Sequence, residues 1–174
     1  MSTTLQPDPS WLQVDPEFYR HGGHSFGPGE MLALAEAKGE RALVYPASGG
    51  EEALSLANLG ATVSVFDSLE NSARARALAE QAGIAVTFLE GVPGSPEIPG
   101  GPYDTVYSSF GLLSALEFFD DWAGGIAGAL KTGGRLVIHD VHPAAYVPGV
   151  RKGVFAVAHS YFDDEEDGGG PGWT

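Results

Sequence analysis

Small residues and a carboxylate mark the part of the chain whose spacing could bind a nucleotide. The apolar segment 42–45 runs into the small residues 48–50, and a second apolar segment, 62–66, ends in Asp67. A backbone with little side chain can approach a ligand closely, and a carboxylate at a strand end can accept hydrogen bonds from ribose hydroxyls. The two segments therefore predict a nucleotide-cofactor site within one β-α-β unit.

Alternating strands and helices surround this unit and would hold it in place. Periodicity and capping residues predict strands at residues 42–45, 62–66, 86–89, 105–108 and 135–139, and helices at 28–38, 51–59, 70–82 and 120–130. Each strand is apolar on both faces, which is typical of a parallel sheet covered by helices. Because crossovers between parallel strands are right-handed, we expect an α/β, doubly wound parallel sheet of order 3-2-1-4-5. Its ligand crevice should lie between strands one and four.

Length and composition favour one globular domain. The chain has 174 residues, of which 43% are hydrophobic and 18% charged, and this is enough apolar surface for one substantial core. Scattered aromatic residues among prolines indicate an N-terminal arm over residues 1–27. We therefore expect residues 1–174 to form a single domain, with that arm laid over its core.

Charge and cysteine content exclude several classes of function. Nine Lys and Arg against 23 Asp and Glu give a formal net charge of −14, which repels nucleic acids and anionic lipid surfaces. Without cysteine the chain has no disulfides, thiolate metal sites or cysteine nucleophiles. It also lacks a run of about 18 apolar residues and a basic, apolar leader. We therefore expect a cytoplasmic protein without nucleic-acid or membrane partners.

Four segments of the chain occur in an order that resembles a known protein family. They are LSLANLGATVSVFD at 54–67, YDTVY at 103–107, LKTGGRL at 130–136 and His142-Pro143. In this order they resemble the class I S-adenosylmethionine (SAM)-dependent methyltransferases, from about Trp11 to Phe162. The resemblance implies a Rossmann-like methyltransferase fold, SAM as the cofactor and a small molecule as the methyl acceptor. The C-terminal antiparallel strands of that fold should be reduced or missing, since only residues 154–162 could supply one of them.

The resemblance assigns the family's glycine-rich loop to the turn after the first strand. The methionine part of SAM would lie against Pro46, Ala47, Ser48 and Gly50. Gly50 keeps the usual glycine, whereas Pro46 and Ser48 replace the other two, and proline removes an amide donor. Val44 replaces a common acidic residue that helps to orient the loop or the amino group of the cofactor. The loop is therefore a degenerate form of the motif, and a tight turn without a ligand is its alternative interpretation.

The adenosine part of SAM is assigned by the same resemblance to the next two strand ends. Asp67 matches the acid that binds the ribose hydroxyls, with Ser68 beside it, and a helix cap is the alternative role of Asp67. The turn of Glu90, Gly91 and Val92 matches the adenine-binding turn after the third strand. Adenine would be held there by backbone groups, by Glu90 or by apolar contact.

Two assignments concern the methyl-transfer chemistry. Ser108 begins a small-residue segment, 108–111, that would line the methyl-transfer site or form a turn without a ligand. His142 follows the fifth strand and could act as a general base toward an acceptor hydroxyl or amine. A capping or packing histidine is the alternative there. Methyl transfer from a sulfonium depends mainly on alignment, so the sequence need not show a catalytic residue.

The histidines do not predict a metal site. His21 and His24 lie on a flexible Gly-Gly turn that does not fix them on one helical face, and no carboxylate stands nearby in sequence to complete a site with them. His139, Asp140 and His142 are a second group, distant in the chain. We therefore expect no metal.

Three functions from different classes compete. The leading one is a SAM-dependent methyltransferase acting on a small molecule. The alternative is a non-catalytic or degenerate SAM-binding protein, which the altered loop and the short C-terminal part favour. A nicotinamide-dependent oxidoreductase comes last, because residues 46–51 do not match the G-x-G-x-x-G pattern.

The fifth strand is expected to be an exposed edge of the sheet. Exposed apolar edges recruit partners, so we expect a homodimer or a folded-back arm, formed by residues 154–162, to cover it. Hydrogen exchange at Leu136, Val137 and Ile138 tests this expectation. Slow exchange is expected, whereas rapid exchange in a monomer confirmed by light scattering would contradict both kinds of cover.

Overall fold

The computed structural model describes residues 14–92, 94–109, 112, 116, 119–140, 142, 144, 148–151 and 154–157. Contacts divide the chain into two units, Met1–Asp140 and Val141–Thr174. The first unit contains α1 (Pro16–Arg20), α2 (Pro28–Ala33), β1 (Arg41–Val44), α3 (Glu51–Asn58), β2 (Thr62–Asp67), α4 (Ala73–Ala82), β3 (Thr87–Glu90), β4 (Tyr103–Ser109), α5 (Phe119–Ala129) and β5 (Leu130–His139). The second contains β6 (Pro148–Arg151) and β7 (Val154–Val157). The organisation as a single domain with an arm over residues 1–27 stays a prediction.

The first unit is built on a five-stranded sheet in the order β3-β2-β1-β4-β5. All four pairings are parallel. The predicted order is therefore confirmed, and β1 and β4 lie side by side where the strand order reverses. Loops that leave the carboxyl ends of these two strands diverge at this point and open the crevice that α/β sheets use for ligands.

The core has two sides because alternate residues of each strand point to opposite faces of the sheet. In β1, Ala42 and Val44 belong to one apolar cluster, together with Tyr19, Leu54 and Leu78 from α1, α3 and α4. Leu43 belongs to the other cluster, which α5 covers with its apolar side. Burial on both faces is the physical reason that these strands carry few polar residues.

Two predicted helices begin or end elsewhere in the structure. The helix predicted at 28–38 ends at Ala33, and the one predicted at 70–82 begins at Ala73. In the second case the amides of Asn71 and Ser72 bond back to Ser68, so residues 68–72 form a turn. That turn sets the direction of the chain as it leaves β2.

The fifth strand differs from its prediction. The segment 131–134 lies between the helix predicted at 120–130 and the strand predicted at 135–139, but it belongs to β5, and the pairing shifts there. Leu130 pairs with Tyr103 and Arg135 with Thr105, so four residues of β5 lie opposite one of β4. The guanidinium of Arg135 donates two hydrogen bonds to the carboxylate of Glu40, at 2.9 and 2.7 Å, and fixes the strand beyond the bulge.

The second unit contains an antiparallel pair, β6 and β7, which form their own two-stranded sheet. A strand within 154–162 was expected, and β7 lies there, whereas no strand was predicted at the position of β6. Residues 158–162 of the expected segment lie outside the described residues. The C-terminal antiparallel strands are thus reduced to this pair in the described part of the chain. The dimer or arm expected over β5 stays a prediction.

Candidate functional site

Asp67 joins the loops that follow β1, β2 and β3. It is only 2% exposed at the end of β2. Its Oδ2 accepts the amide N–H of Ala47 at 2.9 Å, and its Oδ1 accepts the amide of Ser68 at 2.7 Å and the side-chain amide of Asn71 at 2.9 Å. Its backbone carbonyl accepts the N–H of Gly91 at 3.0 Å. One buried residue thus brings together three of the segments predicted to contact a cofactor.

The loop after β1 is shaped by two residues in the left-handed region. Gly50 has φ of 98°, and a Cβ built on it would lie 2.7 Å from the Cα of Ala75, so α3 and α4 approach each other too closely for a side chain. Ser48 has φ of 46° and is exposed. Its Oγ lies 3.3 Å from the Oγ of Ser109. The loop is therefore fixed to α4 on one side and to the end of β4 on the other.

Glu52 places a buried carboxylate beside this loop. Ser109 donates a hydrogen bond to its Oε1 at 3.0 Å, whereas its Oε2 is buried without a hydrogen-bond partner among the described residues. Burial raises the pKa of the Glu52 carboxyl, and the charges of Glu51 and Glu30 raise it further. An unpaired buried carboxylate oxygen is costly, so a cation at this position would be strongly favoured.

A second polar group lies under α2, where Glu30 meets β4 and β5. Glu30 accepts the backbone N–H of Gly27 on Oε2 at 2.9 Å and the Tyr107 hydroxyl on Oε1. The same Oε1 lies 3.2 Å from the Nδ1 of His139. Burial raises the pKa of Tyr107 well above its usual range, and the hydrogen bond to Glu30 acts in the same direction, so the phenol keeps its proton and donates it.

Two exposed apolar side chains follow neighbouring strands of the sheet. Leu69, after β2, is 58% exposed, and Val92, after β3, is 73% exposed. The predicted contacts Glu90 and Gly91 lie beside Val92, and Glu90 is exposed as well. Exposed apolar side chains such as Leu69 and Val92 could contact the planar ring of a ligand.

Other predicted residues are placed differently. Ser108 is fully buried and its Oγ donates to the carbonyl oxygen of Tyr45 at 2.6 Å, so its neighbour Ser109 is the serine that faces the loop. Residues 110 and 111 lie outside the described residues. His142 belongs to the second unit, where its exposed ring accepts the backbone N–H of Ala144 on Nδ1 at 3.1 Å. Its role as a base stays a prediction.

Sequence reasoning did not single out Glu30, Glu52 or His139 as binding residues. Glutamate in the first turn of a helix is common because it interacts favourably with the helix dipole, so neither acid stands out in the sequence. His139 was considered only as a metal ligand. In the part of the chain that the structure describes, no three His, Asp or Glu side chains converge as a metal ion would require. Nor does any described helix have the length and apolar character needed to cross a bilayer.

Solved structures with this fold include SAM-dependent methyltransferases. One from Mesorhizobium loti has a TM-score of 0.58 and 25% identity, over 74% of this chain and 62% of its own. A protein from Methanococcus maripaludis assigned as a SAM-dependent methyltransferase has a TM-score of 0.57 and 16% identity, over 72% of this chain and 56% of its own. The glycopeptide N-methyltransferase MtfA, in complex with SAM, has a TM-score of 0.50 and 20% identity, over 66% of this chain and 50% of its own. The sequence matches no protein-family model and no curated protein.

These likenesses confirm the resemblance found in the sequence. The chain has the Rossmann-like fold of the class I SAM-dependent methyltransferases. It spans less than two thirds of the length of the solved structures just named, between 50% and 62%.

Proposed function

We propose that this protein binds SAM at the carboxyl ends of β1, β2 and β3 and transfers its methyl group to a small molecule. The fold likeness and the joining of three loops at Asp67 support this proposal. The observation that carries it is the buried Oε2 of Glu52 beside the loop after β1, which has no hydrogen-bond partner in the part of the chain that the structure describes. SAM is a cation, and a carboxylate excluded from water attracts a cation more strongly than one at the surface.

The described residues fit the separate parts of the cofactor. The carboxylate of Asp67 accepts three hydrogen bonds from within the protein. Because a carboxylate can accept about four, it can accept one more from a ribose hydroxyl. Leu69 and Val92 supply apolar surface for the adenine ring. Glu52 supplies the negative charge that the degenerate loop lacks at Val44, where the family often has an acid. When bound, SAM supplies an electrophilic methyl group whose leaving thioether is neutral, so alignment can supply much of the catalysis.

Calorimetric titration of the wild-type protein with SAM and with its demethylated product, S-adenosylhomocysteine, tests the proposal. Saturable binding of both ligands is expected. A titration without heat for either ligand, repeated at a second temperature, would contradict it. Detection of S-adenosylhomocysteine by mass spectrometry, after incubation with SAM and a set of small acceptors, separates the methyltransferase from its alternative. Binding without turnover would favour the non-catalytic SAM-binding protein.

The affinity for SAM is predicted to depend on the ionisation of Glu52. Because burial raises its pKa, Glu52 keeps its proton at pH values where a surface glutamate is ionised, and SAM should bind more tightly as the pH rises through that raised pKa. We expect Glu52→Gln to weaken SAM binding about tenfold above that pKa, since a charge-assisted contact is lost, and to flatten the pH dependence. Calorimetry over a pH series gives both quantities.

Glu51→Gln is the matched control for Glu52→Gln. Glu51 is the adjacent residue, but its carboxylate pairs with Arg74 at 2.8 Å. The pH dependence of SAM binding should persist in this variant. Equal effects of the two substitutions would contradict a specific role of Glu52.

The same raised pKa predicts the pH dependence of folding. A group whose pKa is higher in the folded than in the unfolded state contributes stability at low pH, and that contribution is lost as the pH rises through the folded pKa. Urea unfolding should therefore show Glu52→Gln gaining stability relative to the wild type as the pH rises from the usual pKa of a glutamate through the raised pKa of Glu52. An unchanged difference across that range would contradict the raised pKa.

A further inference from the structure

A cavity of about 360 Å³ lies under α2 and beside β5, and the function proposed above does not account for it. Pro28, Ala33, Val137 and Ile138 provide apolar walls, and Glu30 and His139 are its ionisable lining groups. Its volume is at the lower end of the range of about 300–1,000 Å³ that is usual for small-molecule sites. A small molecule with an apolar body and one polar group fits such a lining.

Glu30 and His139 form an ordered pair within this cavity. The Glu30 side chain is only 12% exposed, and Gly27 and Tyr107 hold its two oxygens, whereas the His139 side chain is 45% exposed. The imidazole therefore reaches solvent in the cavity while a buried carboxylate fixes its Nδ1. A carboxylate beside one ring nitrogen fixes the orientation of an imidazole and leaves its other nitrogen to act, which is the arrangement of a general base.

The cavity lies next to the loop assigned to SAM. His139 pairs in register with Ser109 on the neighbouring strand, so their backbones are about 4.8 Å apart, the spacing of paired strands. Ser109 in turn contacts Ser48 of the loop and the Glu52 carboxylate. An acceptor in the cavity would thus be close to a cofactor held by that loop.

The charges around the cavity select among acceptors. The charge of Glu30 is near enough to raise the pKa of Glu52, and the charges of both glutamates raise the pKa of Tyr107. A carboxylic acid would meet like charges there, an alcohol would gain little from them, and an ammonium group would be attracted. Electrostatics therefore favour an amine over acceptors of the same shape.

We propose that this cavity binds the methyl acceptor as a small apolar amine, with Glu30 attracting its ammonium group and His139 accepting its proton. The proposal rests on the methyltransferase function proposed above. The ammonium group loses a proton to the His139 imidazole, and the nitrogen lone pair then forms a bond to the methyl carbon. As the bond from that carbon to sulfur breaks, its electron pair stays on sulfur, and the products are a methylated ammonium and a neutral thioether. The imidazolium returns its proton to water.

The test uses the full chain saturated with S-adenosylhomocysteine and three probes that share a ring. They are cyclohexylmethylamine, cyclohexylmethanol and cyclohexanecarboxylate, titrated by calorimetry near neutral pH. We expect the amine to bind at least about tenfold more tightly than the alcohol, and the carboxylate not to bind. Equal or weaker binding of the amine, or no binding of any probe, would overturn the proposal. Failure of S-adenosylhomocysteine itself to bind would instead contradict the proposed function.

Two substitutions separate the roles of the pair. Glu30→Gln should lower the affinity for the amine about tenfold while leaving that for the alcohol unchanged, a difference that mere loss of structure would not produce. His139→Gln should lower the rate of amine methylation about a hundredfold with the affinity for S-adenosylhomocysteine retained. His21→Gln, which changes an exposed histidine of the N-terminal segment, is the control and should keep the wild-type rate. A wild-type rate in His139→Gln, or a wild-type protein that binds the amine without methylating it, would overturn the assignment of His139.

Discussion

Replacing Asp67 by alanine is expected to lower the free energy of unfolding by about 3 kcal/mol, because one buried donor loses its acceptor, at a cost of about 1–3 kcal/mol, and two partly buried hydrogen bonds are lost as well. The donors are the amides of Ala47 and Ser68 and the side-chain amide of Asn71. Binding of SAM should be lost as well, since the loop after β1 would no longer be held against β2. Urea unfolding and calorimetry measure the two effects separately.

Asn71→Ala is the partial control for the Asp67 variant. It removes one donor together with its hydrogen bond and leaves the carboxylate bonded to both backbone amides. We expect a cost of about 1 kcal/mol and retained SAM binding. If Asp67→Ala were no more harmful than Asn71→Ala, Asp67 would not be the residue that joins the loops.

The second large effect is expected at Gly50. Alanine there would adopt a left-handed conformation, which costs about 1–2 kcal/mol, and its Cβ would lie 2.7 Å from the backbone of Ala75. Overpacking against a helix backbone adds about 1–3 kcal/mol, so Gly50→Ala should destabilise the fold by about 2–5 kcal/mol. Thermal and urea unfolding give the measured value.

Gly83 offers a matched control. It has φ of 69° at the end of α4, but a Cβ built on it meets no atom within 4 Å. Gly83→Ala should therefore cost only the conformational term, about 1 kcal/mol. Equal costs at the two glycines would show that the approach of α3 to α4 does not restrict position 50.

The strands that place the site could be predicted from the sequence because their apolar character is local. Residues 62–66 combine two valines and a phenylalanine with a β-branched threonine, which is typical of a buried parallel strand. The strand order also followed, since right-handed crossovers leave few arrangements of five such units. The bulge in β5 and the strand β6 did not follow, because proline and glycine at 148 and 149 and the Gly-Gly pair at 133 and 134 are typical of turns.

The site was predicted less completely than the sheet, and the reason is physical. Asp67 could be identified by its position at a strand end, but its bonds to Ala47 and Asn71 depend on how three loops converge. The role of Glu30 depends on its contacts with Tyr107 and His139, which are distant in the chain. The role of Glu52 depends on its burial and on its contact with Ser109. Such contacts leave no periodic signal in the sequence.

The left-handed conformation of Ser48 has different consequences for the stability of the fold and for the shape of the candidate site. A serine in this region costs about 1 kcal/mol relative to glycine. Its hydroxyl contact with Ser109 offsets a similar amount, about 0.5–1.5 kcal/mol for a neutral hydrogen bond. A glycine at position 48 would therefore leave the folded state almost equally stable, yet it would remove the contact between the loop and Ser109. Serine and glycine at position 48 should therefore give nearly the same folding stability. A preference for serine at this position would then reflect the activity of the protein.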